Sequence, residues 1–119
     1  MMTDLATIDF EEVSEQLRII RLAGRLDIQG INAIDSKFTF LSASQKHGVV
    51  VDLTGVDFIA SIGVRSLVSN AKTQHQLGGR LVLFVWEGSS VMKVLTSSGI
   101  NSLIPMYTDA ERARQAAIL

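Results

Sequence analysis

The chain has 119 residues, which is enough for one compact domain and too few for two ordinary ones. Its 47% hydrophobic residues support a packed core, and its net charge of -1 leaves no basic excess to neutralise a nucleic-acid backbone. Because cysteine is absent, disulfides, thiolate zinc sites and cysteine nucleophiles are excluded.

The location of the protein is predicted from what the sequence lacks. The N-terminus has neither the positive charge nor the long apolar stretch of a secretory signal. The longest apolar runs, Val49–Val51 and Leu81–Trp86, are far shorter than the ~20 residues of a membrane-spanning helix. We therefore expect one cytoplasmic domain over residues 1–119, with no membrane insertion.

The first third of the chain predicts two strands and a helix. Residues from about Thr7 to Val13 alternate as in a half-buried edge strand, and Leu17–Gly24 is a second strand that ends at a glycine. From Gly30 to about Gln45 the apolar period becomes helical. The apolar stripe of this helix consists of Ile31, Ile34, Phe38 and Leu41.

The middle of the chain predicts a buried strand at Val49–Leu53, a loop at Thr54–Ala60 and a helix from about Ile62 to Gln76. The inner face of this helix is predicted to carry Val64, Leu67, Val68 and Ala71. Its outer face is predicted to carry Arg65, Ser66, Ser69 and Lys72.

The last third predicts a buried strand at Arg80–Trp86 and a helix that starts at Gly88–Ser90 and stops at Gly99. Its inward residues are Val91, Val94 and Leu95. A short edge strand at Leu103–Met106 and a helix capped by Thr108 or Asp109 and running to Ala117 complete the order.

This order of elements predicts an α/β fold. Strands that alternate with helices are joined by right-handed crossovers and pair in parallel, whereas the initial hairpin is antiparallel. We expect a mixed, mostly parallel sheet of four to five strands, with about four helices packed mainly on one side.

Three stretches in order match a family pattern over about 80 residues. They are RLAGRLD at 21–27, VDLTGVDFIASIGV at 51–64, and GGRLVL at 78–83 followed by VMKVL at 91–95 and SGI at 98–100. With these stretches the chain resembles the STAS family, the sulfate-transporter and anti-sigma-factor-antagonist domain, of the antagonist type. The middle stretch is similar to the family signature DLSxVxFIDSSGL.

The resemblance implies a non-enzymatic partner switch. In antagonists, an anti-sigma factor with serine-kinase activity phosphorylates the serine after the Asp of the signature, and Ser61 occupies that position. The unphosphorylated antagonist binds the anti-sigma factor and frees sigma; a PP2C-type phosphatase resets the cycle. This chain has Ala60 in place of the Asp and Ile62 in place of a small residue.

Ser61 precedes the second predicted helix, so its hydroxyl either caps that helix by accepting a first-turn N–H or serves as the regulatory site. Ile62 would strengthen packing with a partner. Gly63 either leaves the first turn open to a kinase or relieves crowding within the fold. The resemblance implies that Asp27 lies in the loop beside Ser61, where it positions the hydroxyl or contacts the kinase. Alternatively it caps the first helix or the turn at Gln29–Gly30.

Further partner contacts are expected at Asp57, Arg65, Ser66 and Ser69, with Lys72 extending the same helix face. Each has an alternative as an ordinary turn or surface residue. His47 and His75 lack a second ligand at metal-binding spacing, so neither a metal nor a cofactor is expected. No nucleophile elbow surrounds Ser61, and Gly88–Ser90 lacks the lysine of a phosphate-binding loop, so an enzyme is not expected.

A second reading stays open. The chain is then a constitutive STAS subunit of an ABC transporter, bound to its ATPase, or of a stress-signalling complex, and needs no phosphorylation; Ala60 and Ile62 favour this reading. In either case the apolar N-terminal strand offers an exposed edge through which two copies would pair as a homodimer.

Overall fold

A computed structural model describes residues 5–44 and 47–119. The N-terminal residues on which the signal-peptide prediction rested therefore lie largely outside the described part, as does Gln45. The elements in chain order are β1 Thr7–Glu12, β2 Leu17–Leu26, α1 Ile28–Ser42, β3 Gly48–Ile59, α2 Ser61–Gln76, β4 Arg80–Phe84, α3 Ser90–Ser97, a 3-10 helix Ile100–Ser102, β5 Met106–Tyr107 and α4 Ala110–Ala117.

Within the described ranges the five strands form one mixed sheet in the order β1-β2-β3-β4-β5. Strand β1 runs antiparallel to β2, and every other neighbouring pair is parallel. The predicted α/β fold with a mostly parallel sheet is confirmed. None of the helices in residues 5–44 and 47–119 has the length and hydropathy that a membrane-spanning helix requires.

The sheet is covered on both faces, which explains the apolar runs without alternation in β3 and β4. In β3, Val49 and Val51 point into the larger core while Val50 points into the smaller one. The larger core packs against α1, α2 and α3, and the smaller core packs against α4 through Ala113, Ala116 and Ala117. Three helices therefore lie on one side of the sheet and one on the other.

Strands β2 and β3 extend further than predicted. Strand β2 continues through Gly24, which has a φ of +91°, to Leu26, and the segment predicted as the loop Thr54–Ala60 is the second half of β3 up to Ile59. Two register shifts accommodate the unequal chain lengths of the paired segments. Asp57 is therefore an exposed strand residue and not a loop residue.

Several element ends also differ from prediction. Helix α1 starts at Ile28 and ends at Ser42, β4 ends at Phe84, and β5 follows Pro105. Val94, predicted to face inward, is 39% exposed because α3 buries only Val91 and Leu95 on its inner face. The predicted stop at Gly99 and the cap by Asp109 are confirmed.

Candidate functional site

Helices α1 and α2 begin side by side at one edge of the sheet. Strands β2 and β3 are parallel and end at Leu26 and Ile59, which are paired with each other. The backbone N–H of Ala60 donates to the carbonyl of Leu26 at 3.0 Å. Consequently Asp27 and Ser61, each within two residues of its strand end, lie at the same edge, as predicted.

Ser61 is the first residue of α2 and is exposed to solvent. The prediction that its hydroxyl caps the helix is wrong: Ala60 occupies the N-cap position, and α2 has no side-chain cap. The carbonyl of Ala60 accepts from the N–H groups of Gly63 and Val64 at 2.9 and 3.1 Å. The hydroxyl of Ser61 is therefore not committed to holding the helix end.

Asp27 is the N-cap of α1. Its Oδ1 accepts from the N–H of Gly30 at 2.9 Å, and its Oδ2 accepts from Nε of Arg25 at 3.3 Å. The hydrogen bond from Gly30 lowers the pKa of the Asp27 carboxyl below its ordinary value of 3.8, and Arg25 lowers it further. The capping alternative for Asp27 is confirmed; a role in positioning Ser61 or in contacting the kinase stays a prediction.

Gly63 is buried, and its place in the fold favours the packing alternative. A Cβ at this position would lie 2.7 Å from Cγ1 of Ile59 and 2.8 Å from the carbonyl oxygen of Leu26. Contacts under 3.0 Å are essentially never seen for real Cβ atoms, so any larger residue forces a shift. Gly63 therefore faces the strand ends, and the expectation that it leaves an open surface for a kinase is wrong.

Ser66 also differs from prediction, since it is only 9% exposed and does not lie on the outer face of α2. It belongs to a buried polar stripe at four-residue spacing with Asn70 and Gln74. Nδ2 of Asn70 donates to the carbonyl of Ser66 at 2.9 Å, and Oε1 of Gln74 accepts from the N–H of Ser44 at 3.0 Å, just after α1. The residue types alone concealed this stripe, because serine and asparagine are usually exposed.

The other predicted contact residues of α2 are accessible. Arg65, Ser69 and Lys72 are exposed, and Ile62 is partly buried against the larger core. No ion pair in the described part of the chain involves Arg65. Arg65 follows Ser61 by four residues, so both side chains lie on one face of the helix.

Two exposed apolar side chains lie next to the paired ends of β2 and β3, and the sequence did not predict that they belong to the site. Ile28 at the start of α1 is 63% exposed, and Phe58 near the end of β3 is 41% exposed. Trp86 is also exposed, but it follows β4, which ends opposite Asp52 and not opposite Ile59. The guanidinium of Arg25 lies 4.2 Å from the ring centroid of Phe58. The available signal was the position of Ile28 and Phe58 at the carboxyl ends of the parallel strands β2 and β3.

Comparisons with known proteins agree on one fold. The family model described as STAS domain matches residues 8–113. The crystal structure of an anti-sigma factor antagonist from Mycobacterium paratuberculosis has a TM-score of 0.85 and 18% identity, over 98% of this chain and 97% of that one. No curated sequence matches the chain significantly.

Two further solved structures share the fold. The Bacillus cell fate determinant SpoIIAA in its phosphorylated form has a TM-score of 0.66 and 22% identity, over 92% of this chain and 99% of that one. The murine Solute Carrier 26 family member A9 anion transporter has a TM-score of 0.63 and 16% identity, over 87% of this chain but 16% of that one. The resemblance to the transporter is therefore confined to a small part of its chain.

Because the hydroxyl of Ser61 does not cap α2, we predict that Ser61→Ala changes the free energy of unfolding by less than about 0.5 kcal/mol. Ser89→Ala is the matched control, since Oγ of Ser89 caps α3 by accepting from the N–H of Met92 at 3.1 Å. Loss of that cap costs about 1 kcal/mol. Urea denaturation of both variants measures the difference; equal losses would show that Ser61 is a structural cap.

The lowered pKa of Asp27 predicts a pH dependence of stability. The folded chain releases the Asp27 proton more readily than the unfolded chain, so the contribution is present above pH 3.8 and is lost as the pH falls through the folded pKa. Asp27→Asn keeps an oxygen that caps α1 but does not titrate. The free energy of unfolding is measured by denaturation between pH 2 and 6, the range set by that pKa. It should depend less on pH in Asp27→Asn than in the native chain or in the control variant Asp57→Asn.

Proposed function

The chain belongs to the STAS domain family, and from this premise we propose that it is an anti-sigma-factor antagonist whose binding is controlled by phosphorylation of Ser61. Its partner is an anti-sigma factor with serine-kinase activity, and a PP2C-type phosphatase removes the phosphate. The protein acts by binding and not by catalysis, in the cytoplasm, and regulates transcription without touching DNA. One observation supports this most strongly: Ser61 is exposed and does not cap the helix that it begins.

Ser61 is suited to carry a phosphate. The first N–H groups of a helix have no partner within the helix, and the helix dipole places partial positive charge at this end. A phosphate adds about -1.5 to -2 charges there at neutral pH. The modified chain therefore stays folded, and the switch acts on the partner.

Arg65 gives the phosphate a counter-ion within the same helix. An acidic group four residues before a basic one is the favourable orientation on a helix. Arg65 is exposed and free of ion pairs in the described part of the chain, so it can turn toward a phosphate without breaking another contact. We propose that Arg65 contacts the partner when Ser61 is unmodified and the phosphate when it is modified.

The partner docks on the exposed apolar side chains around Ser61. Ile28 and Phe58 lie at the same end of the sheet as Ser61, and such exposed apolar side chains bury well in an interface, where aromatic residues are enriched. Ile62, Ser69 and Asp57 extend the contact from α2 and β3. A phosphate on this surface must lose its water or be excluded when the partner docks, which weakens binding. A loss of ~3 kcal/mol in the binding free energy lowers affinity roughly 150-fold.

The relatives support the proposal as analogies. The crystal structure from Mycobacterium paratuberculosis is that of an anti-sigma factor antagonist, and SpoIIAA has been solved in a phosphorylated form.

A homodimer through β1 stays a prediction. This edge strand carries three acidic residues, Asp9, Glu11 and Glu12, and charged edges discourage pairing, so they weaken the homodimer prediction. The molar mass of the protein in solution tests that prediction.

Phosphorylation is tested with a candidate anti-sigma kinase and Mg-ATP. We expect the intact mass to rise by about 80 Da, the mass of one phosphoryl group. Ser61→Ala should abolish the gain, whereas Ser97→Ala, which changes an exposed serine on α3 outside the proposed contact surface, should retain it. An unchanged mass with a kinase that binds the chain, or a gain that survives Ser61→Ala, would refute the switch.

The second candidate is a constitutive STAS subunit of an ABC transporter or a stress-signalling complex. Ala60 and Ile62 favour it, and the fold shared with part of an anion transporter fits it. Under this reading Ser61→Asp still co-purifies with the transporter ATPase in native amounts. Under the switch, the same substitution abolishes binding to the anti-sigma factor.

A further inference from the structure

A cavity of about 670 Å³ lies at the opposite end of α2 from Ser61. Its walls are the last turns of α2, the start of β4 and the segment from Leu103 to Pro105. With a rise of 1.5 Å per residue, Lys72 lies about 17 Å along the helix from Ser61. The cavity is therefore separate from the surface proposed to bind the anti-sigma factor, and its volume falls within the range of small-molecule sites.

Basic side chains line the cavity. Lys72, His75 and Arg80 line it and are exposed, and the lining contains no aspartate or glutamate. In the described part of the chain none of the three forms an ion pair. Another lining side chain, His47, is already engaged, since its Nε2 lies 2.7 Å from the backbone oxygen of Leu119. The unpaired cations Lys72 and Arg80 at this concave site favour an anionic ligand.

The remaining wall is apolar. Leu81 and Ile104 are buried at its base, and Val68 and Ala71 on α2 pack partly against the larger core. Leu103 is 66% exposed at the rim. Because removing apolar surface from water is favourable, a ligand that displaces water from this wall gains binding free energy. A small, fully hydrated anion leaves this surface wet, whereas a ligand with an apolar part covers it.

We propose that this cavity binds a small amphipathic anion. The anionic head group, a carboxylate or a phosphate, lies between Lys72 and Arg80, with His75 as a further ring N–H donor. The apolar chain lies along Val68, Ala71 and Ile104. This site does not depend on the phosphorylation of Ser61, so it can be tested independently of the proposed function.

The proposal is tested by titrating the isotope-labelled chain with decanoate, decyl phosphate and uncharged decanol, followed by amide chemical shifts. The shifts of Gly79, Arg80 and Ala71 should saturate with decanoate or decyl phosphate, and the tighter of the two identifies the head group. The double variant Lys72→Ala with Arg80→Ala should weaken binding by at least about 10-fold, or about 1.4 kcal/mol.

Two controls separate a built site from general attraction. Lys93→Ala with Arg112→Ala removes the same charge from exposed positions on α3 and α4 and should leave the affinity unchanged. Ala71→Phe, which fills the cavity, should abolish saturation while circular dichroism shows a folded chain. Absence of saturating shifts with both anions, equal binding of decanol, or equal weakening in the control double variant would overturn the proposal.

Discussion

The first turns of α1 and α2 both lie against the backbone at the end of β2, and the geometry of the candidate site depends on this close approach. A Cβ on Gly30 would collide with the carbonyl oxygen of Arg25, and a Cβ on Gly63 would crowd that of Leu26. Two glycines, each at the third position of its helix, thus let both helices begin at one sheet edge. The hydrogen bond from Ala60 to Leu26 fixes the spacing between them.

This arrangement leaves Ser61 in an unusual position for a helix-starting serine. At α3, Ser89 accepts a backbone N–H, and at α1 and α4 an aspartate does so. At α2, the N-cap is Ala60, which has no side-chain acceptor, and Ser61 is the next residue. Because Ala60 replaces the aspartate of the family signature, the N-terminus of α2 has no side-chain cap and the surroundings of the serine change. The partial positive charge at the N-terminus of α2 is therefore available to an added phosphate.

The sequence predicted the fold well where apolar periodicity was strong. The stripe of α1, the β-branched run at Val49–Val51 and the caps at Asp27 and Asp109 all have direct local signals. It failed where tertiary pairing overrides local preference. Gly24 was predicted to end a strand and Thr54–Ala60 to form a loop, yet Gly24 and residues 54–59 lie within paired strands, because β2 and β3 accommodate register shifts. Likewise Ser66 is buried, and the hydrogen bond that Asn70 donates to its carbonyl is a contact that residue type does not reveal. The apolar residues around Ser61 were missed because exposure cannot be deduced from hydrophobicity.

The central claim is that the hydroxyl at the start of α2 controls binding without supporting the fold. The most direct measurement compares the unmodified chain with a chain carrying phosphoserine at position 61 by genetic encoding, using amide spectra and titration calorimetry against the anti-sigma factor. The account predicts that the spectra change only around α2 and its neighbouring loops while affinity falls about 100-fold or more, equivalent to at least roughly 2.7 kcal/mol. Equal affinity of the two forms, or unfolding of the phosphorylated chain, would contradict it.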